Sequence, residues 1–161
     1  MTSDGSEYHP WTIYMLAREE ARRRGDRRVG TDHLLLSLLH DPAIVSALGV
    51  SLEQAREASE QLDRDALASL GLAASPGAPA LAMHPVPARP TLRAVLRDRL
   101  PMSPAAKGTL VAAAHTKRKN RVTAQDVLIC LLGNQHPDPA ADLLSALSVD
   151  ADAVRARLSG T

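Results

Sequence analysis

The chain has 161 residues, of which 45% are hydrophobic and 23% charged, and its 19 lysines and arginines nearly balance 18 aspartates and glutamates. This length is typical of one domain with its own core, and the formal net charge of +1 gives no overall attraction to nucleic acid or anionic membranes. One cysteine excludes an internal disulfide, and no apolar run reaches the roughly 18 residues of a membrane span. The N-terminal residues lack the pattern of a signal peptide, so we expect a cytoplasmic protein with no membrane partner.

The first helix is predicted over residues 10–24, because Pro10 suits a helix start and Gly25 a helix end. Residues at helical spacing predict its core-facing side: Ile13, Leu16, Ala17, Ala21 and Arg24. A second face carries Trp11, Tyr14 and Arg18. Tryptophan, tyrosine and arginine dominate the energetics of interfaces, so this face is a predicted protein-binding surface if it is open to solvent. The alternative is that the rest of the chain covers it.

A segment that occurs twice organises the rest of the chain. Residues 29–39 read Val-Gly-Thr-Asp-His-Leu-Leu-Leu-Ser-Leu-Leu, and residues 122–132 read Val-Thr-Ala-Gln-Asp-Val-Leu-Ile-Cys-Leu-Leu. In both copies polar, cap-forming residues lead into an apolar stretch, which is typical of a short helix entering a core. Asp-Pro-Ala and then Ser-Ala-Leu-x-Val follow each copy. We therefore predict an all-α fold of two tandem, pseudo-symmetric four-helix repeats, each with its copy of the segment as the central helix of its own bundle.

The repeats are predicted over residues 8–70 and 103–158 of a single domain. Residues 71–90 hold five of the eleven prolines among alanine and glycine, which predicts an extended linker. Residues 91–102 are predicted to form a short connecting helix.

The other helices are predicted from capping residues and apolar spacing. Ser51 with Gln54, and Thr123 with Asp126, have the spacing of capping boxes. The helix that follows Ser51 is predicted to end at Gly71. Its buried stripe is predicted to be Leu52, Ala55, Ser59, Leu62, Ala66 and Leu70.

The start of the first central helix is a candidate ligand site. Thr31 or Gly30 would cap the helix, and Asp32 places an anion at its positive end. Free N–H groups beside a hydroxyl and a carboxylate suit a ligand with both charges, because the amides would take the anion and the carboxylate a guanidinium. The alternative is ordinary helix capping.

These motifs, in this order, resemble the N-terminal repeat domain of the Clp family of AAA+ unfoldases, especially the ClpC and ClpA branches. The resemblance is carried by Glu19-Glu20-Ala21, by Gly25, by residues 29–36 and by Leu48-Gly49-Val50, and more weakly by residues 100–104 and 122–128. It covers nearly the whole chain. The phosphate-loop motif of the ATPase modules is absent from the sequence, so the expectation is a free-standing N-domain.

The resemblance implies a non-catalytic module that binds proteins or peptides in a Clp-associated proteolysis or chaperone system, as an adaptor, a decoy or a regulator. Its expected partners are a Clp-family unfoldase, the client or adaptor proteins of that unfoldase, and cyclic peptides that target Clp N-domains. Some family members recognise phosphoarginine, which would place Thr31 and Asp32 in a ligand site. Asp32 is one methylene shorter than the family's glutamate, and Gln125 at the matching second position carries no charge. We therefore expect phosphoarginine binding to be weak, confined to the first repeat, or absent.

Other functions have less support in the residues. His33 and His40 share a helix face, but no cysteine or carboxylate completes a metal set, and no metal or other cofactor is expected. Cys130 lies in an apolar stretch, which favours a buried thiol over a nucleophile, so no enzyme is expected. The alternative reading is a small helical nucleic-acid-binding regulator, based on the basic cluster over residues 115–121.

Overall fold

The computed structural model describes residues 10–72, 100–116 and 122–159, which form eight helices and no strand. In chain order these are α1 Pro10–Arg24, α2 Thr31–Leu38, α3 Pro42–Leu48, α4 Leu52–Ser69, α5 Pro104–Thr116, α6 Ala124–Leu131, α7 Pro139–Ala146 and α8 Ala151–Ser159. The prediction of an all-α fold is confirmed. The predicted linker over residues 71–90 and the connecting helix over 91–102 lie almost entirely outside the described residues. No helix within these ranges is long and apolar enough to cross a membrane.

Short polar side chains begin the helices where the sequence predicts them. The Ser51 hydroxyl accepts the Gln54 N–H, and Thr123 accepts the Asp126 N–H, so both capping boxes are confirmed. Asp41 caps α3 by accepting the Ala43 N–H at 2.9 Å. Each cap satisfies an amide that has no partner within its helix, which fixes the residue at which the helix starts.

Helix α2 lies at the centre of the described structure. All eight of its residues are buried, and it packs against α1, α4, α5, α6 and α7. The corresponding helix α6 is less enclosed, because Gln125 and Ile129 are exposed on its surface. The structure therefore differs from the prediction that each central helix occupies the middle of its own bundle. One buried helix serves both halves of the chain.

Contacts other than those of α2 also join the halves. Helix α3 packs against α8, and α4 against α7. The third contact is an isolated bridge between Val29, just before α2, and Met102, just before α5. In it the Val29 N–H donates to the Pro101 carbonyl at 2.9 Å, and the Ser103 N–H donates to the Val29 carbonyl at 2.8 Å. This pairing holds the entrances of two helices side by side.

Helix α4 extends beyond the core. Ala55 and Ser59 are buried as predicted, but Ala66 is exposed and Leu70 is 73% exposed, so the predicted buried stripe is wrong for these two residues. The physical reason is length. The 18 residues of α4 span about 27 Å, whereas the eight residues of α7 beneath it span about 12 Å. The outer half of α4 therefore overhangs the body of the protein.

A buried carboxylate ties α1 to α4. Glu20 on α1 accepts hydrogen bonds from Arg56 Nη2 at 2.6 Å and Nε at 3.1 Å, and its Oε1 lies 3.1 Å from His40 Nε2. Burial disfavours the charged form of Glu20, but the hydrogen bonds and positive charge of Arg56 and His40 outweigh it and lower the pKa of Glu20.

Glu20→Gln should therefore remove part of the pH dependence of folding. A lowered folded-state pKa contributes stability above the ordinary value of 4.5, and this contribution is lost as the pH falls through the folded pKa. At pH 7 we expect the variant to lose about 2 kcal/mol of unfolding free energy, because a charged hydrogen-bonded partner of Arg56 is gone. Urea unfolding between pH 3 and 7 measures this. A wild-type protein and a variant whose stabilities fall in parallel over that range would contradict it.

Two equivalent turns have left-handed backbone conformations but different residues. Gly49 ends α3 at φ 72°, and Ser148 follows α7 at φ 55°. Glycine adopts this conformation without steric cost, whereas a residue with a Cβ does not.

A reciprocal exchange at these turns should change stability in opposite directions. Ser148→Gly should raise the unfolding free energy by about 0.5 kcal/mol, because it relieves strain while adding freedom to the unfolded chain. Gly49→Ser should lower it by about 1 kcal/mol. No heavy atom lies within 4 Å of a Cβ placed on Gly49, so this cost comes from the backbone alone. Urea unfolding of the two variants tests both signs, and shifts of the same sign would refute the assignment of strain.

Candidate functional site

An apolar groove lies where α1 meets the segment that leads into α5. It has a volume of about 830 Å³ and is lined by Pro10, Trp11, Tyr14, Leu100, Pro101, Met102 and Lys107. We call it the aromatic groove. Trp11 is 55% exposed, and its ring centroid lies 5.6 Å from that of Tyr14 at an interplanar angle of 40°. A large, exposed aromatic side chain beside apolar walls is the usual anchor of a protein interface.

The groove is held open by contacts made within the chain. The Tyr14 hydroxyl donates to the Leu100 carbonyl at 3.0 Å, which fixes the half-buried ring. The bridge between Val29 and Met102 holds the opposite wall. Binding in the groove would therefore cost the protein little conformational entropy, because the wall is already ordered.

Arg18 does not share the surface of the two aromatic residues. It was predicted on one binding face with Trp11 and Tyr14, but only 8% of it is exposed. It lies one helical turn further along α1, where neighbouring elements cover the helix. The structure therefore brings Trp11 and Tyr14 together with Leu100, Pro101 and Met102, and it places Arg18 beneath the surface.

Thr31, the first predicted ligand-binding residue, is 1% exposed. Its hydroxyl donates to Asp138 Oδ1 at 2.9 Å and accepts the Ala140 N–H at 3.3 Å. Asp138 caps α7, so Thr31 joins the start of α2 to the start of α7. This hydroxyl is therefore hydrogen-bonded within the protein both as a donor and as an acceptor.

Asp32, the second predicted ligand-binding residue, is bound to an arginine of the chain itself. Arg24 Nη1 donates to Asp32 Oδ2 at 2.5 Å, and Arg24 Nη2 donates to Asp63 Oδ2 at 2.6 Å. Burial disfavours the charged guanidinium, but the three carboxylates of Asp32, Asp63 and Asp26 outweigh this effect and raise the pKa of Arg24. The guanidinium therefore remains charged and is shared by carboxylates of α2 and α4.

The imidazole of His33 completes this cluster. The Gly30 N–H donates to His33 Nδ1 at 2.9 Å, so that nitrogen carries no proton. The proton is then on Nε2, which donates to Asp26 Oδ2 at 2.9 Å. Since Nε2 is a donor, its 3.5 Å separation from Arg24 Nη1 is not a hydrogen bond. Gly30 has no side chain that could cap α2, so His33 is the side chain that bonds the backbone at this helix start.

The second copy of the segment has a different residue at the position of Asp32. Gln125, at the position that matches Asp32, is exposed, and Asp126 is buried in the capping box with Thr123. Residues 117–121, which precede this copy, lie outside the described ranges.

Sequence reasoning missed residues that shape both regions. Leu100, Pro101 and Met102 line the aromatic groove, but they were assigned to the connector and to the start of the second repeat. Asp63 was not singled out in the sequence, and Arg24 was placed on the core-facing side of α1. Of these residues, only Arg24 had a signal in the sequence, because an arginine at a core-facing position needs a buried anion.

The described residues contain no group of three or more histidine, cysteine or acidic side chains arranged to hold a metal ion. Cys130 is half-buried, and burial, with a smaller effect of Asp126, raises the pKa of its thiol. A raised pKa disfavours the thiolate that nucleophilic chemistry needs.

Thr31→Ala should destabilise the fold by about 1–2 kcal/mol, because it removes a buried hydroxyl that bonds to both Asp138 and Ala140. Thr12→Ala is the matched control, because Thr12 is exposed on α1 and should change stability by less than about 0.5 kcal/mol. Urea unfolding measures both. Equal stabilities of the two variants would argue against a structural role for the Thr31 hydroxyl.

Comparison of the sequence with models of known protein families found no matching family, and comparison with curated proteins found no match.

Proposed function

We propose that this protein is a non-catalytic protein- and peptide-binding module of a Clp-associated proteolysis or chaperone system, built like a Clp N-terminal repeat domain. The proposal rests on the duplicated segment at residues 29–39 and 122–132 and on the motifs around it. Its partners are a Clp-family AAA+ unfoldase or the client and adaptor proteins of that unfoldase. Cyclic peptides that target Clp N-domains are a further class of ligand.

The contacts between helices support two repeats related by an approximate two-fold axis. If α1 to α4 correspond to α5 to α8, then α3 matches α7 and α4 matches α8. The contact between α3 and α8 is then the symmetry mate of the contact between α7 and α4, and both are present. The left-handed turns at Gly49 and Ser148 also fall at matching positions.

The single observation that carries the binding function is the aromatic groove with its exposed Trp11. Among the described residues few large apolar side chains are exposed, so an exposed tryptophan over a preformed apolar wall favours an external partner. Lys107 at the rim adds a positive charge, which suits a peptide with an apolar anchor and a nearby carboxylate.

Weak phosphoarginine recognition at the start of α2 is the second part of the proposal, with Asp32 as the residue that meets the ligand, because the Thr31 hydroxyl is buried and already bonded to Asp138 and Ala140. The N-terminus of α2 carries the charge pattern that such a ligand needs, and Asp32 already binds a guanidinium, that of Arg24. Nucleic-acid binding receives no comparable support, because residues 117–121 of the basic cluster lie outside the described ranges.

Trp11→Ala should weaken partner binding about tenfold or more, because truncating a central interface tryptophan typically costs 2 kcal/mol or more. The measurement is the affinity of the purified protein for the N-domain-binding partner recovered from native cytosol on immobilised wild type and identified by mass spectrometry. Val111→Ala is the control, because Val111 is 47% exposed on α5 and does not line the groove. Both variants should unfold within about 0.5 kcal/mol of wild type. Equal affinities of the two variants would contradict the assignment of the aromatic groove as the partner-binding surface.

A further inference from the structure

The carboxylates of Asp32 and Asp63 hold a guanidinium between two helices. Arg24 reaches this position from the last residue of α1, and its two terminal nitrogens each bond one carboxylate, on α2 and on α4. A guanidinium bridging two carboxylates is a strong, geometrically specific contact. The structure thus displays the ligand chemistry of the pair directly, because a guanidinium occupies it.

A cleft opens next to this ion pair, between the overhanging half of α4 and the start of α7. Its volume is about 390 Å³. Leu62, Ala66, Pro139 and Leu143 supply apolar walls, and Asp65 and Asp142 add two further carboxylates. Arg24 is the only cation among the residues that line it. The cleft has the shape and the charge to admit an arginine side chain with its aliphatic stem against the apolar wall.

We propose that Asp32 and Asp63 form a guanidinium-binding site that the chain blocks with its own Arg24, so that an arginine side chain of a partner enters only when Arg24 is displaced. The inference rests on the ligand role proposed for Asp32 and is independent of the aromatic groove. Because Arg24 is attached to the same chain, its effective concentration at the site far exceeds that of a dilute ligand. The block therefore lowers the affinity for every external guanidinium.

The contacts of Arg24 show where the block is weakest. Asp63 lies on the overhanging part of α4, and its side chain is 56% exposed. Arg24 Nε is buried and makes no hydrogen bond, although Asp26 Oδ2 lies 3.5 Å away, so the internal guanidinium uses its donors incompletely. Asp32, in contrast, is held within the buried start of α2. Movement of Asp63 would release one side of Arg24 while leaving the Asp32 carboxylate in position.

The test removes the internal guanidinium and offers an external one. Arg24→Leu keeps an apolar stem, and Arg23→Leu is the matched control, because Arg23 has the same charge and lies exposed at the preceding position of α1. Methylguanidinium chloride is the probe, titrated against sodium chloride at equal ionic strength. The amide signals of Asp32 and Asp63 in two-dimensional ¹H–¹⁵N NMR spectra report binding, after circular dichroism has shown that each variant is folded.

We expect Arg24→Leu to bind methylguanidinium about tenfold or more tightly than wild type and Arg23→Leu, since it alone exposes both carboxylates. Adding Asp32→Asn to Arg24→Leu should abolish the gain. The proposal is overturned if Arg24→Leu binds no better than Arg23→Leu, or if the double variant binds as well as Arg24→Leu.

A measurement on the wild type keeps the proposal testable if Arg24→Leu does not fold. The Arg24 Nε–H signal should change at high methylguanidinium concentrations, where the probe competes with the internal guanidinium, and should stay unchanged in sodium chloride of equal ionic strength. The same response to both salts would overturn the proposal. If Arg24→Leu gains no affinity for methylguanidinium while partner binding still depends on Trp11, this inference is rejected and the groove proposal stands. If Arg24→Leu gains that affinity but partner binding does not depend on Trp11, only the groove proposal is rejected.

Discussion

The complete burial of helix α2 is the constraint on which the rest of the structure depends. Its leucines supply the apolar centre of the core, but its first turn also takes Thr31, Asp32 and His33 out of water. Buried polar groups cost several kcal/mol unless they are bonded, so each must find a partner on another element. Asp138, Arg24 and Asp26 are those partners. Apolar burial drives the collapse, and these polar contacts determine how α1 and α7 align with α2.

The same constraint explains why the two candidate regions differ in character. Near α2, the polar side chains that could meet a ligand are already bound within the chain. Around Trp11, the hydrogen bond from the Tyr14 hydroxyl to the Leu100 carbonyl fixes one wall of the aromatic groove, and the Trp11 side chain is exposed. An open apolar surface binds by contact area and shape, whereas an internally paired polar site binds only by exchange of partners. The protein thus has one apolar surface that is exposed and one polar cluster whose groups are paired within the chain.

Much of the fold was predictable because it depends on local chemistry. The caps at Ser51 and Thr123, and the apolar spacing of α1, specify helices without reference to distant residues. The central position of α2, the overhang of α4 and the burial of Arg18 depend on packing between segments far apart in the chain, which periodicity does not encode. The Arg24 pair was not predictable for a similar reason, because Asp63 lies 39 positions further along the chain. The aromatic groove was half predictable, since only the α1 side of it has a sequence signal.

The pairing of Val29 with Met102 has a consequence for which substitutions the two helix entrances tolerate. Its hydrogen bonds join backbone groups, with the N–H groups of Val29 and Ser103 as donors. A change of side chain leaves these donors and acceptors in place. Proline is the exception, because it has no N–H, so proline at position 29 or 103 would break the link between the entrances of α2 and α5.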